Sequence, residues 1–531
     1  MSGALSLLDT LLLAQRELTL VEKFAWLHEH EEPSPEARRY RELIPLSAPG
    51  PGQQYAFEVE LDACTGCKAC VTGCHSLNGL DDGEVWRTVG LLHGGSAQSP
   101  AQQTVTTACH HCLEPACMIG CPVKAYEKDP VSGIVKHLDD QCIGCQYCLF
   151  MCPYDAPKLN RKRGIVRKCD MCSDRLAVNE APACVQACPN EAIRITVVDQ
   201  AQVIEAAQAS TFVPGAAAPG DTLPTTNYRT RKVLPRNLLP ADFYVVNPEH
   251  SHPALVVMLV LTQLSVGAFC VDYLMRETFG GARTPGTSNA LFALVLGLAA
   301  MGASVFHLGR PRYAYRAFLG LRTSWLSREI VGFSLFALLA TGYASSLWLP
   351  TLARVRTGLE LAVALTGLGA IACSVMVYAA TRRECWRAPA TGFKFVGSTF
   401  VLGLAAIVMT SALAGAPPRA WCAALAAVAG LKLAVELSGF RHLRARQHTA
   451  LKRSAMLMAG DLYGATWWRF ACGALGGVLL PALLWFSDSG DRVFLGGAGI
   501  AAFALSLCGE LLERYLFFAA ATAPKMPGGP G

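Results

Sequence analysis

The sequence predicts two structurally different halves, a cysteine-rich α+β domain followed by an all-α bundle of eight transmembrane helices. Two observations carry this prediction. Sixteen of the 22 cysteines lie between residues 64 and 188 in regularly spaced groups, whereas nearly all of the excess apolar composition lies after residue 250. An apolar fraction of 52% with only 16% charged residues is unusual for a soluble protein. At 531 residues, the chain is long enough for two or more domains.

Composition divides the chain into five parts. The leader has the spacing of a helix capping box at Thr19 and Glu22, and the resulting helix would pack on its own domain or dock a partner subunit. A Pro/Gly-rich stretch separates the two halves, as is typical of linkers; it would either float free or run over the surface of the cysteine-rich domain, where Leu238, Phe243 and Tyr244 could pack. The predicted parts are an amphipathic leader (1–54), the cysteine-rich domain (55–202), a linker (203–253), the membrane domain (254–515) and a C-terminal tail (516–531).

The cysteines form four groups of four. The first and third share the spacing C-x2-C-x2-C-x3-C, and proline follows the last cysteine of groups two, three and four. This is the ligand pattern of bacterial ferredoxins, in which the fourth cysteine of a group serves the other cluster. One such group alone would also fit a zinc ribbon, but four in tandem predict nested, ferredoxin-like α+β units.

Exchange of the fourth cysteine gives a nested pairing and predicts four [4Fe–4S] clusters. A cluster held by four thiolates has no vacancy for a substrate and exchanges single electrons. The predicted ligand sets are Cys64, Cys67, Cys70 and Cys188 for cluster 1; Cys169, Cys172, Cys184 and Cys74 for cluster 2; Cys109, Cys112, Cys117 and Cys152 for cluster 3; and Cys142, Cys145, Cys148 and Cys121 for cluster 4.

Basic residues and two histidines lie among these cysteines. Positive charge near a cluster stabilises its reduced state and raises its potential. Arg161 to Arg163 are better explained as a solvated loop, and His110 and His111 are candidates for tuning rather than ligation. The basic candidates are Lys68, Lys124, Lys136, Arg161, Lys162, Arg163, Arg167 and Lys168.

Eight apolar segments follow residue 253. Each is long enough to cross a bilayer core of about 30 Å, which takes about 20 helical residues. Backbone polar groups in lipid must be satisfied internally, so the segments are expected to form a helical bundle. They lie near residues 254–275, 288–307, 329–349, 358–380, 393–413, 419–438, 467–486 and 493–512.

The distribution of basic residues predicts the orientation. The connections after the second, fourth and sixth segments are rich in arginine and lysine, for example Arg310, Arg382 and Arg441, and are therefore expected on the cytoplasmic side. The N-terminus has neither a basic n-region nor a twin-arginine pattern before an apolar stretch. Both arguments predict a multi-pass protein of the bacterial inner membrane with the cysteine-rich domain and both termini in the cytoplasm.

Two ionisable residues at the cytoplasmic ends of the membrane segments are candidates for quinone chemistry. His307 ends the second segment and Glu329 begins the third. A histidine and a carboxylate beside an apolar cleft are suited to moving the protons of a quinone or quinol. The alternative is that both simply reach interfacial water. Paired intramembrane histidines at haem-binding spacing do not occur, so we expect no haem.

The two halves resemble known subunits. The runs Cys142-Ile-Gly-Cys-Gln-Tyr-Cys148, Cys152-Pro153-Tyr154 and Arg167-Lys-Cys-Asp-Met-Cys172 resemble the four-cluster subunit of molybdopterin oxidoreductases of the dimethyl sulfoxide reductase family. The membrane half is similar to the eight-helix anchor of that family, with His307-Leu308-Gly309 and Glu329-Ile330 in matching places. The run from Ala108 to Pro115 resembles the cytoplasmic sulfite dehydrogenase type.

This resemblance implies a non-catalytic subunit with a quinone site of its own. A separate molybdopterin subunit would meet cluster 1, and electrons would pass through clusters 2, 3 and 4 to a quinone near His307 and Glu329. In that family the two parts are usually separate polypeptides, and a fused anchor favours a cytoplasm-facing complex. The alternative is a quinone-linked module that serves a non-molybdenum donor. The expected partners are the catalytic subunit, quinone and lipid, and not nucleic acid.

Overall fold

The computed structural model describes Thr19, residues 21–22 and residues 40–279, 286–414, 419–487 and 491–527. Most of the predicted leader therefore lies outside the described residues. Its predicted capping box is confirmed, because the Thr19 amide donates to Glu22 Oε2 at 2.7 Å and the Glu22 amide donates to Thr19 Oγ1 at 3.2 Å.

The cysteine-rich half consists of short strands and helices around the cysteine loops. The strands are β1 (Gln53–Glu60), β2 (Thr88–Gly95), β3 (Pro100–Thr107), β4 (Tyr126–Lys128), β5 (Val135–His137), β6 (Lys158–Asn160), β7 (Ile165–Arg167), β8 (Ile193–Asp199), β9 (Asn227–Arg229) and β10 (Leu239–Pro240). The helices are α1 (Ala69–Leu77), α2 (Ala116–Gly120), α3 (Tyr147–Met151), α4 (Ser173–Ala177), α5 (Ala183–Gln186) and α6 (Gln200–Gln208).

The sheets are small, and most of their pairs are antiparallel. β8, β1 and β9 form one sheet, β10, β2 and β3 form a second, and β4–β5 and β6–β7 are two hairpins. The strand predicted from the alternating pattern at residues 55–61 is confirmed as the central strand β1, which pairs antiparallel with β8 from Gln53↔Asp199 to Val59↔Ile193. This pairing brings the first and fourth cysteine groups together, although more than 90 residues separate them.

The first and third cysteine groups repeat in structure as well as in sequence. In each, the residue after the second cysteine adopts a left-handed conformation and precedes a short helix, with φ of 63° at Lys68 before α1 and 60° at Gln146 before α3. The α+β, ferredoxin-like class predicted from the spacing is confirmed.

The segment predicted as a linker folds onto the cysteine-rich half. β9 pairs in parallel with β1, and β10 pairs with β2 through Leu239↔His93 and Pro240↔Leu92. Leu238 is buried beside them. The Pro/Gly composition of this segment therefore reflects an irregular path over a sheet.

The membrane half confirms the eight predicted transmembrane segments, since eight helices within the described residues are long and apolar enough to cross a membrane. A short amphipathic helix, α13, lies between the sixth and seventh. The helices are α7 (Pro253–Phe279), α8 (Gly286–Val305), α9 (Trp325–Ser346), α10 (Arg356–Ala379), α11 (Ala388–Leu413), α12 (Arg419–Ser438), α13 (Ala450–Ala459), α14 (Tyr463–Ala474), α15 (Leu480–Phe486) and α16 (Arg492–Ala519).

The seventh span is not a regular helix. A π-helical turn at Leu475–Leu479 joins α14 to α15, and Pro481 follows it directly. Proline has no amide hydrogen for the carbonyl one turn earlier, and a π turn is a common way for a helix to absorb such a mismatch.

The two halves pack closely through glycine. The Gly309 amide donates to the Gly144 carbonyl at 3.3 Å, and the Arg310 amide donates to the Ile143 carbonyl at 3.0 Å. Gly164 lies against Gly309 so closely that a side chain on either would meet the backbone of the other. Side chains from α3 belong to the same hydrophobic core as α7, α9 and α10. The third cysteine group is therefore held directly on the membrane half.

Candidate cluster chain and membrane cavity

The sixteen cysteines are free thiols, and most are buried. Their charges interact in the four predicted combinations, each of which includes the exchanged fourth cysteine. The interacting sets are Cys64 with Cys67, Cys70 and Cys188; Cys74 and Cys169 with Cys172 and Cys184; Cys109, Cys112 and Cys117 with Cys152; and Cys142, Cys145 and Cys148 with Cys121.

These sets are not spaced like sites for a single ion. Among the described residues, no three His, Cys, Asp or Glu side chains are close enough together to hold one metal ion. In a tetrahedral zinc site every sulfur lies about 2.3 Å from the ion. The chemistry and number of the thiols fit iron–sulfur clusters, and the individual ligand assignments stay predictions.

Electrostatic interactions between thiols of different sets give the sets an order. Cys70 of the first set interacts with Cys184 of the second, and Cys169 of the second interacts with Cys109 of the third. Tyr126 connects the third and fourth sets, because burial and then the charges of Cys148 and Cys117 raise the pKa of its hydroxyl. The order is therefore first, second, third, fourth.

Two buried cations lie along this series of sets. Lys168, which the sequence marks as a candidate, donates from Nζ to Cys109 Sγ at 3.5 Å and to the Cys169 carbonyl at 2.8 Å. Burial opposes its charge, but the surrounding thiolates raise its pKa above the ordinary value. Lys168 therefore lies as a cation between the second and third sets.

The second buried cation, Arg87, was missed by sequence reasoning. It lies on the first two sets, and the charges of Cys184 and Cys70 oppose the effect of burial and raise its pKa. Its guanidinium also lies 4.6 Å from the centre of the Phe57 ring. No local signal marks it, because it is separated from the nearest cysteine by 13 positions.

His110 and His111 are each hydrogen-bonded through Nδ1, whereas the Nε2 of each is buried without a hydrogen-bond partner among the described residues. His110 Nδ1 lies 2.8 Å from Thr226 Oγ1, and His111 Nδ1 accepts the amide of Val135 at 3.1 Å. Burial and the charge of Arg87 lower the pKa of His110 to about 3, so its ring is neutral. Both rings are packing and hydrogen-bonding groups beside the third set.

The fourth set meets the membrane half at His307. Its Nε2 lies 3.0 Å from the carbonyl oxygen of Cys145, and its Nδ1 lies 3.2 Å from the carbonyl oxygen of Ser304. Tyr147, two residues after Cys145, donates its hydroxyl to the Val377 carbonyl of α10 at 2.7 Å. The segment that carries the last thiol set is thus hydrogen-bonded to the loop after α8 and to α10.

A cavity of about 880 Å³ opens beside this contact, and we call it the interface cavity. Its lining includes Phe150, His250, His252, His307, Arg383 and Trp386. The His252 ring centre lies 6.5 Å from that of His307. His252 has a left-handed φ of 47°, which is unusual for a non-glycine residue, at the start of α7. No sequence pattern selects His252, Arg383 or Trp386, because the linker and a distant loop bring them here.

Glu329 lies outside the lining of the interface cavity. It is buried, accepts a hydrogen bond from the Ser374 hydroxyl, and lies near Tyr147. Burial and then the charge of Glu329 raise the pKa of Tyr147. The structure therefore brings both residues to the third cysteine group, His307 to Cys145 just before α3 and Glu329 to Tyr147 at the start of α3.

Known families match both halves. Residues 101–198 match the family described as "4Fe-4S dicluster domain", and residues 248–519 match the family described as "DMSO reductase anchor subunit (DmsC)". The second match covers just over half of the chain.

Curated relatives match the cysteine-rich half. The B subunit of the anaerobic dimethyl sulfoxide reductase of Haemophilus influenzae is 34% identical over 167 residues, covering 30% of this chain and 81% of the relative. The corresponding B subunit of Escherichia coli K12 is 37% identical over 155 residues, covering 28% and 75%. The formate dehydrogenase-O iron–sulfur subunit of Escherichia coli K12 is 33% identical over 178 residues, covering 30% and 55%. The chain therefore belongs to the dimethyl sulfoxide reductase family, as an iron–sulfur electron-transfer region fused to a DmsC-type membrane anchor.

Proposed function

We propose that this chain passes electrons between a separate molybdopterin catalytic subunit and the membrane quinone pool through four [4Fe–4S] clusters. One observation carries the proposal: the ordered thiol sets end at the Cys145 carbonyl, 3.0 Å from His307 Nε2 on the wall of the interface cavity. A one-electron pathway that ends on a cavity in a membrane anchor needs a lipid-soluble redox partner there.

The four ligand sets are those with exchanged fourth cysteines, and the cluster of Cys64 is the one farthest along the series from the membrane half. Clusters held only by thiolates supply single-electron transfer and no substrate site. Lys168 and Arg87 offset the negative charge that such clusters carry and so favour their reduced states. The catalytic subunit would dock at the Cys64 end.

The quinone site is the interface cavity. Its volume of about 880 Å³ lies in the range of cofactor and ligand pockets. His307 presents a ring beside the last cluster and is suited to exchange a proton with a quinone oxygen. Glu329, which is buried outside the cavity lining and interacts with Tyr147 of α3, is the second proton-handling candidate.

The orientation is proposed from the loop charges. The basic connections, including Arg310 and Arg382, lie on the same side as the cysteine-rich half: Arg310 Nη1 donates to the Asp139 carbonyl at 2.8 Å, and Arg382 pairs with Asp221 at 2.7 Å. Basic loops favour the cytoplasmic face. We therefore assign the chain to the inner membrane with the clusters in the cytoplasm.

The test is anaerobic purification of the complex with metal analysis and subunit identification. We expect about sixteen irons per chain, as four four-iron clusters require, a molybdopterin subunit in the preparation, and clusters that are reduced by dithionite and reoxidised by a quinone. Colourless protein that carries zinc would refute the clusters. A quinone-active preparation in which a different dehydrogenase replaces the molybdopterin subunit would refute the assigned partner.

The exchanged ligands have their own test. Cys188→Ser is expected to alter the cluster of Cys64 and to leave the cluster of Cys169 intact in the electron paramagnetic resonance spectrum. Loss of the Cys169 signal instead would show that the fourth group keeps its own last cysteine.

A further inference from the structure

A second cavity, of about 350 Å³, lies inside the membrane half, and we call it the anchor cavity. Trp386 lines both cavities, and Phe517 behind it lines only the anchor cavity. These two rings stack at a centroid distance of 5.2 Å and an angle of 17°, and they form the partition between the two cavities. Val435 on α12, which is 43% exposed, lines the anchor cavity together with the exposed Arg387 and Arg441, so the cavity opens at the end of α12 that carries the basic connection.

A buried network of charges adjoins the anchor cavity, and two of its residues, Glu436 and Arg469, line the cavity. Arg469 donates to both carboxylate oxygens of Glu436 at 3.0 Å and pairs with Glu510 at 3.0 Å. Lys432, which is 1% exposed, bonds Glu436 at 2.7 Å and Glu510 at 2.9 Å. Buried ionisable groups in a membrane helix bundle are costly and indicate function by default. This network belongs to α12, α14 and α16, away from the interface cavity.

Two polar side chains of the anchor cavity have unused hydrogen-bonding capacity. Both carboxylate oxygens of Glu513, a residue whose side chain is 3% exposed, accept no hydrogen bond from the described residues. The nearest cations, Lys394 Nζ and Arg514 Nη2, lie 3.5 and 3.4 Å away. The buried hydroxyl of Thr466 likewise has no hydrogen-bond partner in the described part of the chain. A buried polar atom without a hydrogen-bond partner destabilises the fold, so this arrangement points to a ligand.

The lining defines what that ligand must be. The walls combine aromatic rings, among them Phe393, Phe440 and Phe517, with charged side chains that include Arg387, Lys394 and Arg441. The carboxylate of Glu513 has ion-pair partners but accepts no hydrogen bond from the described residues, so it calls for a hydrogen-bond donor, whereas Lys394 calls for an acceptor. A flat apolar ring that carries hydroxyl or carbonyl oxygens satisfies both. A volume of about 350 Å³ is at the lower end of the range for ligand pockets, sufficient for one substituted ring.

We propose that the anchor cavity is a second quinone- or quinol-binding site, distinct from the interface cavity. Glu513 accepts a quinol hydroxyl, and Lys394 donates to the oxygen of the oxidised form. The position of the anchor cavity agrees with this assignment, because the cavity lies near the third cysteine group. The ring of Phe150 in α3 lies 5.4 Å from the ring of Trp386, and Trp386 forms part of the partition that bounds the cavity. The assignment of the ligand as a quinone rests on the proposed function of the chain.

The test is the number of quinols bound by the purified complex, measured by equilibrium dialysis with radiolabelled decylubiquinol. We expect two per chain. Ala390, an exposed residue at the start of α11 that lines the anchor cavity, allows the cavity to be blocked without disturbing the core. Ala390→Trp is expected to reduce the number to one. The matched control is Ala388→Trp, because Ala388 is exposed on the same helix and lies outside the cavity lining.

A second variant tests the chemistry of the site. Glu513→Gln removes the acceptor charge and is expected to weaken quinol binding at one of the two sites at least tenfold, since hydrogen bonds to charged groups are worth about 1.5–3 kcal/mol. One quinol per chain, unaffected by Ala390→Trp, would overturn the proposal and leave the interface cavity as a quinone site. Organic extraction of the purified complex tests the alternative ligand. A bound phospholipid that is extracted from the wild type and is missing from Ala390→Trp would also overturn the proposal. The two proposals can fail separately. Loss of one of two bound quinols in Ala390→Trp would support the anchor cavity as a quinol site, even if His307→Ala left quinone turnover unchanged and so argued against the interface cavity.

Discussion

The contact between the two halves at Gly309 is the most direct test of how the last cluster meets the membrane. A Cβ atom at this position would lie within 3.0 Å of the Gly164 backbone, a separation that real Cβ contacts essentially never show. The obstructing atoms are backbone, so they cannot rotate away. In Gly309→Ala the two segments must therefore part by about 1 Å, since interiors are closely packed and transmit such strain.

The separation would act on the contact on which electron transfer to the quinone depends. His307 is two residues from Gly309, and its Nε2 lies 3.0 Å from the Cys145 carbonyl. If His307 Nε2 and the Cys145 carbonyl oxygen move apart by about 1 Å, their separation exceeds hydrogen-bonding distance. Overpacking of this kind costs about 1–3 kcal/mol, and a misplacement of about 1 Å lowers rates by up to roughly 100-fold. We expect quinone-dependent reoxidation of the clusters to slow by about 10- to 100-fold.

The assay is stopped-flow reoxidation of dithionite-reduced complex by a short-chain quinone, followed by the visible absorbance of the clusters. Iron content and reduction by dithionite should match the wild type, because all sixteen cysteines are retained and the substitution acts on the backbone next to Gly144 and Gly164. Gly302→Ala is the matched control. A Cβ there would meet nothing within 4 Å, and Gly302 lies in the same helix, α8, that leads to His307.

A quinone reoxidation rate of Gly309→Ala within about twofold of the wild type would refute the reasoning, since a displacement of about 1 Å should cost far more. So would an equal loss in Gly302→Ala, since that would trace the effect to helix flexibility. Loss of iron in Gly309→Ala alone would indicate that the contact stabilises the fourth cluster instead of its exchange with quinone.

The other predictions concern charge and the interface cavity. Glu329→Gln should slow quinone turnover while the clusters remain reducible by dithionite, and unchanged turnover would move the site elsewhere. Lys168→Met should lower the potential of a neighbouring cluster by about 60–130 mV, since a charged hydrogen bond is worth about 1.5–3 kcal/mol; a redox titration measures this. Lys162→Met, at a side chain that is 74% exposed, should leave the potentials unchanged, and a shift of equal size there would refute the burial argument. His252→Ala should raise the KM for quinol more than it lowers kcat, because its ring lines the cavity beside His307; wild-type kinetics would exclude it from the site.

Much of the fold followed from patterns that are local in the chain. Apolar segments of about twenty residues identified all eight spans, because the hydrocarbon thickness of a bilayer sets their length. Alternation of apolar residues identified β1, because side chains of a strand point to opposite faces in turn. The repeated cysteine spacing identified the ferredoxin-like half, because a short loop that surrounds a cluster fixes the spacing of the cysteines within it. The same repeat predicted which cysteine each group exchanges with another.

The tertiary structure decided which distant residues share a site. Arg87, His252 and Trp386 join their sites from the loop before β2, the end of the linker and a loop in the membrane half, and no local spacing connects them. It also separated His307, on the interface cavity, from Glu329, which is buried outside the cavity lining. The physical reason is that burial and unused hydrogen bonds depend on the packing of elements that are far apart in the chain. Helix and ligand patterns need only neighbours along the chain, whereas a cavity exists only once those elements have met.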